Sequence, residues 1–445
     1  MTVSIQLPRQ SELDTKLSND GSIDPLALYP ISENLATLLC PGVRERMKNP
    51  RFLTLMAVSY AVCSDFEDGA VANDDIASPP WQVFEWYVVE GLVRSMQESE
   101  DLAGLPGRDK AVRTVEMDLG LSAKRYLKVA SVFGFHGVYR PLAKALGIDI
   151  AGRLGEFGRE LLDVWQSDNE LPGFLGGSQG AGAKFRERLK GAVADGLERG
   201  EVAHKKNWRE WEHFRTYLSH KKMSPREARL ICDRLIATDT TYMKPVLEFL
   251  MSPTGQDIAA KDYPSERFFH ESLIRSAGTE LTHLLDAIMS YEVFSRLLQN
   301  AFDESLRTLC DARRGVKFKE ISCLRAVEDG ATRIPTAFKV AAEKIAQFNL
   351  PIANRFCETF RGFETSMSPL DWSRFLFEHH TDVQKRKPPH GKFPWALCDT
   401  SKDTLHIQTN YIRDYAPRFD GAYVSFYRMN SLQSFLRCMG LANRG

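Results

Sequence analysis

Loops that cradle phosphates place a lysine and then a hydroxyl directly after their last glycine, and the stretch GGSQGAGAK at 176–184 comes near that arrangement. In a working loop backbone amides wrap the phosphates, and the hydroxyl binds magnesium. Here Ala183 separates Gly182 from Lys184, and Phe185 stands where the hydroxyl must be, so the stretch is expected to be a flexible loop or linker. Three His-x-Lys pairs, His204/Lys206, His220/Lys222 and His390/Lys392, invite comparison with a phospholipase-D-type half site. That chemistry needs an aspartate after four more residues, and the positions hold Trp211, Glu227 and Leu397. Ordinary surface His–Lys pairs account for them better.

Metal chemistry finds no better footing. His213 and His220 stand seven apart on an expected helix, about two turns, whereas sharing one ion favours spacings of three or four. His379 and His380 are adjacent and diverge on a helix. The eight cysteines include no C-x-x-C pair and sit in apolar runs such as Leu39-Cys40 and Ile231-Cys232, as free thiols of a reducing compartment do. There is no Gly-x-Ser-x-Gly elbow, Rossmann fingerprint or His-Glu-x-x-His helix. A restriction-type nuclease core needs an aspartate followed by Glu-x-Lys on a strand; Asp399 and Asp403 border an expected hairpin without that lysine. No catalytic residue, metal ligand or cofactor is therefore expected.

Two groups of basic residues suit nucleic-acid contact. The first is Tyr139, Arg140 and Lys144 on one expected helix, with Lys124, Arg125 and Lys128 on the helix before it. Cations so placed neutralise phosphates, and Arg140 is the candidate to reach a base edge. The second is the run Lys385-Arg386-Lys387 with His390, Lys392, Phe393 and Trp395, where cations interleaved with aromatics suit backbone tracking and base stacking. The competing account of this run is a solvated loop shaped by Pro388, Pro389 and Pro394.

The elements that must carry these residues read as helices. Ser32 is the expected N-cap of a helix over Glu33 to Leu39, stopped by Pro41-Gly42. A second runs from Pro50 to Cys63, and Asp65 to Pro80 is a loop. A third, Trp81 to Gln97, has a broad apolar face (Val83, Trp86, Tyr87, Leu92) interrupted by Glu90. Ser122 is expected to cap a helix over AKRYLKVASVFG; a second helix, VYRPLAKALGI, ends at Gly147. A Gly-punctuated turn around Gly152 to Gly158 leads to a third helix from Arg159. Two short helices, a hairpin and a Gly-x-x-Leu-Leu helix resemble a winged helix-turn-helix, which also serves elsewhere as a protein-docking module. Later breaks fall at Ser224-Pro225, Ser252-Pro253 and Tyr263-Pro264. Leu281 to Leu309 predicts a packed helical pair, Pro335 to Phe363 at least one more helix, and ALCD and TLHIQT a β-hairpin turning at Thr400 to Asp403.

The expected fold class is thus mainly α, multi-helical with a central winged-helix-like unit and a small C-terminal α+β element. The expected segments are a flexible arm (1–28), an N-terminal helical region (29–110), the winged-helix-like unit (111–175), a helical body (183–365) and a C-terminal α+β region with the basic loop (366–445). The 58 basic and 58 acidic residues cancel, which excludes a globally cationic coat and confines nucleic-acid contact to local patches. Met1 to Asp20 lacks a basic start followed by an apolar core, and the apolar run Leu53 to Val62 is too short to span a bilayer, so a cytoplasmic protein without membrane partners is expected.

The segments LLCPGVRERMKNPRFLT, VYRPLAKALGI…LLDVW…LPGF and HHTDVQKRKPPHGKFPW…Y-x-x-x-Y-R resemble accessory proteins of bacterial anti-phage defence islands, found beside helicases, nucleases or ATPases. The resemblance implies a non-catalytic subunit whose partners are DNA and the other subunits of a defence complex. The expected function is DNA binding or scaffolding within such a system. The alternatives are a degenerate metal-dependent nuclease subunit, and a protein-only adaptor docking an ATPase or helicase.

Overall fold

The computed structural model describes residues 24–67, 78–95, 101–261, 266–312, 314–388, 390–418 and 421–442. The expected arm falls largely outside these residues, as do most of the loop before Pro80, Gln97, the Tyr263-Pro264 break and Pro389.

In chain order the described residues form α1 (Tyr29–Leu39), α2 (Arg51–Cys63), α3 (Pro80–Ser95), α4 (Arg108–Glu116), α5 (Ala130–Phe133), α6 (Phe135–Leu146), β1 (Asp149–Ile150), β2 (Arg153–Leu154), α7 (Glu156–Asp168), α8 (Ala181–Arg199), α9 (Trp211–Tyr217), α10 (Pro225–Thr238), α11 (Met243–Met251) and α12 (Pro253–Ala259). There follow α13 (Glu266–Leu273), α14 (Thr279–Ala312), β3 (Val316–Lys317), α15 (Phe318–Ile321), α16 (Arg325–Phe348), α17 (Leu350–Phe360), α18 (Pro369–Lys385), β4 (Ala396–Asp399), β5 (Thr404–Ile407) and α19 (Met429–Cys438). The fold is mainly α, with two small antiparallel sheets. None of these helices is long and apolar enough to cross a membrane.

Contacts divide the chain into two units, each discontinuous in sequence. One takes the chain up to Leu39 together with Ala260–Tyr427; the other takes Cys40–Ala259 together with the chain from Arg428 on.

In the first unit α14 is the spine. Its apolar stripe was expected to be a helical pair, but it continues unbroken over 34 residues, with Leu284, Leu285, Ile288, Phe294 and Phe302 fully buried. It packs along α16, and Phe294, Phe338, Phe356 and Phe360 form an edge-and-face aromatic cluster between α14, α16 and α17. Asp24, not Ser32, holds the turn into α1: its carboxylate accepts from the N–H groups of Leu26 and Leu28, ahead of the helix, and of Tyr29, its first residue, at 3.3, 2.9 and 2.9 Å. Ser32 sits inside the helix and donates to Tyr29 O. The expected C-terminal hairpin forms as β4–β5, with Leu397 opposite His406 and Asp399 opposite Thr404, and β3 adds a third strand on the other side of β5. The closing Tyr423-x-x-x-Tyr427 segment is pinned by two buried acids. Glu292 accepts from the Val424 and Ser425 N–H groups and the Tyr427 hydroxyl, and Glu266 accepts from the Tyr427 N–H.

In the second unit α2 is buried along almost its whole length among α3, α6, α7 and α8. Its Arg51 forms a fully buried ion pair with Glu227 on α10, a carboxylate that also takes the Thr54 hydroxyl. Ser224 caps α10 by accepting from Glu227 N–H at 3.1 Å. The glycine-rich stretch at 171–182 is not an extended linker. Phe174 is fully buried, and the Arg186 guanidinium reaches back to the carbonyls of Phe174 (2.5 Å) and Gly177 (2.8 Å), folding the loop onto α8.

Candidate nucleic-acid interface

α6 carries half of the first basic group. Its apolar residues Phe135, Val138, Leu142, Ala143 and Leu146 recur at helical spacing and are all buried, which leaves Arg140 and Lys144, one turn apart, on the outer face. The helix starts where Glu85 of α3 reaches its first turn: this fully buried carboxylate accepts from the N–H groups of Phe135 and His136 and from the Tyr126 hydroxyl (2.7 Å). Burial pushes the Glu85 carboxyl up to about 7, against the pull of those donors. Gly134 precedes the helix because any Cβ there would run into the Glu85 carboxylate. His136, stacked on Trp81 at 4.6 Å between ring centres, is held neutral by burial, its pKa lowered to about 3.

After Gly147 the chain makes the expected hairpin, β1–β2, with Asp149 opposite Leu154 and Ile150 opposite Arg153. Its two turn residues, Ala151 and Gly152, have φ of +53° and +83°, as a type I′ turn requires. Asp149 braces both sides, accepting from Gly152 N–H at 2.8 Å and pairing with Arg140 Nε at 3.2 Å. The Arg140 side chain keeps 47% of its surface exposed, so the hairpin orients it without covering it. Lys144 is exposed and has no carboxylate within ion-pair distance among the described residues.

Three expectations for this group are corrected. Tyr139 is 2% exposed: its ring lies against Phe52, and its hydroxyl accepts from the N–H groups of Lys48 (3.0 Å) and Asn49 (2.9 Å), so it is a core residue and cannot reach DNA. The helix expected over AKRYLKVASVFG shrinks to the single turn α5. Ser122 caps nothing; it pairs with Glu201 in an isolated antiparallel bridge, and Leu121 O accepts from Val202 N–H at 2.8 Å. Those bonds and the buried Tyr126–Glu85 contact take the segment out of helical geometry. Arg125 is accordingly structural, donating to Gly120 O at 2.7 Å and ion-paired with Glu201. Lys124 and Lys128 remain at the surface.

The second basic group lies in the other unit, at the end of α18. Lys385 and Arg386 are exposed; Lys385 pairs with Asp382 at 3.7 Å, and Arg386 Nε donates to the Asp382 carbonyl at 3.3 Å. Lys387 is half-buried, and burial lowers its pKa against the attraction of Asp24. Lys392 is half-buried, its backbone N–H held by Gln384 O at 2.9 Å. Trp395 is the fourth correction. It is 1% exposed and stacks on Tyr411 at 4.9 Å, and its backbone N–H donates to His380 Nε2 at 2.8 Å, so no base can stack on it. Phe393, 80% exposed, is the aromatic this loop presents.

The remaining sequence candidates have structural tasks. His379 and His380 hold the chain ahead of α1 through Leu26 O and Pro25 O, both at 2.9 Å. Asp403 is gripped by Arg374 through two bonds of 2.9 and 3.2 Å, and Asp399 closes the β4–β5 turn on Ser401. Among the described residues, no three His, Cys, Asp or Glu side chains gather closely enough to hold a metal ion. Of the cysteines, Cys40 and Cys232 are buried, whereas Cys323, Cys398 and Cys438 are exposed, contrary to the expectation from their apolar neighbours.

A third basic group lies outside both sequence candidates. Arg108, Lys110 and Arg113, at the start of α4 and along it, line an open cavity of about 530 Å³ to which Leu127 of the Lys124–Lys128 turn also contributes. The signal was present as three cations within six residues after Pro106-Gly107, but their convergence depends on how Tyr126 packs beside Gly107. No protein-family profile, curated protein or solved structure matches this chain.

Proposed function

We propose that this protein is a non-catalytic DNA-binding component of a multi-protein bacterial defence system, and that it contacts duplex phosphates with the outer face of α6 and the hairpin beside it. The observation that carries this reading is the division of labour on α6: its apolar side is spent on the core, and what it offers outward is Arg140 and Lys144, with Arg140 aimed by Asp149. A helix followed directly by a tight hairpin is the arrangement a winged helix uses, with the helix at a groove and the wing along the backbone. The defence setting rests on the resemblance of the three sequence segments. The adaptor reading has one specific support, the hairpin residue Ile150, which leaves 57% of its surface open to solvent.

The test is binding of the full chain to random-sequence duplex and single-stranded DNA across a salt series, with an Arg140→Glu/Lys144→Glu variant and a Lys385→Glu/Arg386→Glu variant alongside. Salt-sensitive binding that collapses in the first variant supports the α6 reading; collapse in the second alone moves the site to the other unit. Absence of binding at low salt overturns DNA contact and favours the adaptor, for which Ile150→Lys is the variant to examine.

A further inference from the structure

We infer that the cavity at the start of α4 is a binding site for a phosphomonoester of nucleotide size. Its volume of about 530 Å³ falls within the range of small-molecule sites and suits a mononucleotide. Its walls differ in chemistry. Leu105 and Leu127 contribute apolar surface to the lining, and Arg108, Lys110 and Arg113 contribute positive charge. Three cations face one carboxylate there, Asp109, and that carboxylate is engaged by Arg108 at 3.0 Å. Lys110 and Arg113 have no carboxylate within ion-pair distance among the described residues, and both are exposed.

Two uncompensated positive charges on one cavity wall repel each other, and an anion between them removes that repulsion. A phosphomonoester carries close to two negative charges at neutral pH, one for each free cation, whereas a backbone diester carries one. Arginine meets two phosphate oxygens with its planar fork, and lysine supplies a point charge from the side. Gly104 is also in the lining, and a Cβ there would meet nothing within 4 Å. The inference stands apart from the DNA reading, since neither Arg140 nor Lys144 lines the cavity. The same chemistry has two sources, a free mononucleotide or the 5′-phosphorylated end of a strand.

The experiment is calorimetric titration of the full chain with each of the four 5′-ribomononucleotides, with adenosine, and with ten-residue oligonucleotides bearing a 5′-phosphate or a 5′-hydroxyl. A Lys110→Gln/Arg113→Gln variant is titrated in parallel, with Arg333→Gln, an exposed cation of α16 given no binding role, as the control. Because the two cations are exposed, the double glutamine variant should keep its thermal midpoint, which is checked first. The expected result is that a mononucleotide or the 5′-phosphorylated strand binds, that its hydroxyl counterpart binds at least tenfold more weakly, and that the glutamine variant loses roughly tenfold or more while the control is unchanged. Preference for the phosphorylated strand assigns the site to strand ends, and binding of mononucleotides alone assigns it to the free ligand. Equal binding of the phosphorylated and hydroxyl forms, undiminished binding in the glutamine variant, or no binding of any phosphate-bearing probe overturns the inference. None of these three results bears on whether Arg140 and Lys144 hold duplex DNA.

Discussion

Tyr139 and Arg140 are neighbours on one helix with opposite tasks, and substitution should separate them. Tyr139→Phe removes the acceptor of two backbone N–H groups, that of Asn49 buried and that of Lys48 part-buried, so a loss of about 1–3 kcal/mol in denaturant-derived stability is expected. DNA affinity, corrected for the folded fraction, should not change. Arg140→Glu should lower DNA affinity at full folding, and because it sets a second carboxylate beside the buried Asp149 it costs stability as well. A Tyr139→Phe variant that binds DNA tenfold more weakly at full folding would refute this assignment.

The buried acids and histidines impose opposite pH dependences. His380 donates from Nδ1 to Pro25 O and accepts at Nε2 from Trp395 N–H, a pairing available only to the neutral ring. Burial is the main reason its pKa falls from the ordinary 6.5 to about 4. Between those values the unfolded chain takes up a proton that the folded one refuses, so stability declines as pH falls from about 6.5 towards 4, by roughly 1–3 kcal/mol. Urea midpoints measured from pH 7 to pH 4 should fall more for the wild type than for His380→Asn; parallel declines would count against the pairing. Glu85 acts in the other direction. Burial raises its pKa from 4.5 to about 7, so the folded state holds the extra proton and this contribution is lost as pH rises through that interval. Relative to the wild type, Glu85→Gln should therefore gain stability between pH 4.5 and 7.

At the scale of elements, the junctions around α6 carry most of the constraint. Gly134→Ala drives a methyl into the carboxylate that satisfies the first amides of the helix, and a loss of about 2 kcal/mol or more is expected in thermal unfolding. The hairpin offers the opposite case. Ala151 holds a left-handed φ of +53° that costs an alanine about 1–2 kcal/mol, whereas asparagine tolerates that region. Ala151→Asn should raise the thermal midpoint; a lowered midpoint would mean that the methyl is needed for packing.

At the scale of the molecule, the chain passes between its two units three times, so neither is a contiguous piece. α19 belongs with residues 40–259: Leu432, Phe435 and Leu436 are fully buried, and Phe435 stacks with Tyr139 at 6.3 Å. A chain ending at Ala259 should therefore lose cooperative unfolding of that unit, readable as a broadened calorimetric transition. With a formal net charge of zero, DNA affinity must come from local cations, and its salt dependence counts them. Arg140→Glu/Lys144→Glu should lower the slope of log affinity against log salt by about two.

The sequence by itself determined the helical class, the apolar faces of α2, α3 and α14, the β4–β5 hairpin and the β1–β2 turn. Each is a local property: a 3.6-residue period, an alternation, or a glycine where φ must be positive. Tertiary structure decided the rest. Tyr139 and Trp395 look like surface aromatics beside cations, and whether such a ring faces solvent or core depends on partners such as Lys48 and Tyr411, remote in sequence or across a turn. The helix expected after Ser122 yielded to a bridge with Glu201 and a hydroxyl contact with Glu85, because buried hydrogen bonds outweigh intrinsic propensity. The cavity of Arg108, Lys110 and Arg113, and the grouping of residues into two interleaved units, arise from packing between distant segments, which no local pattern encodes.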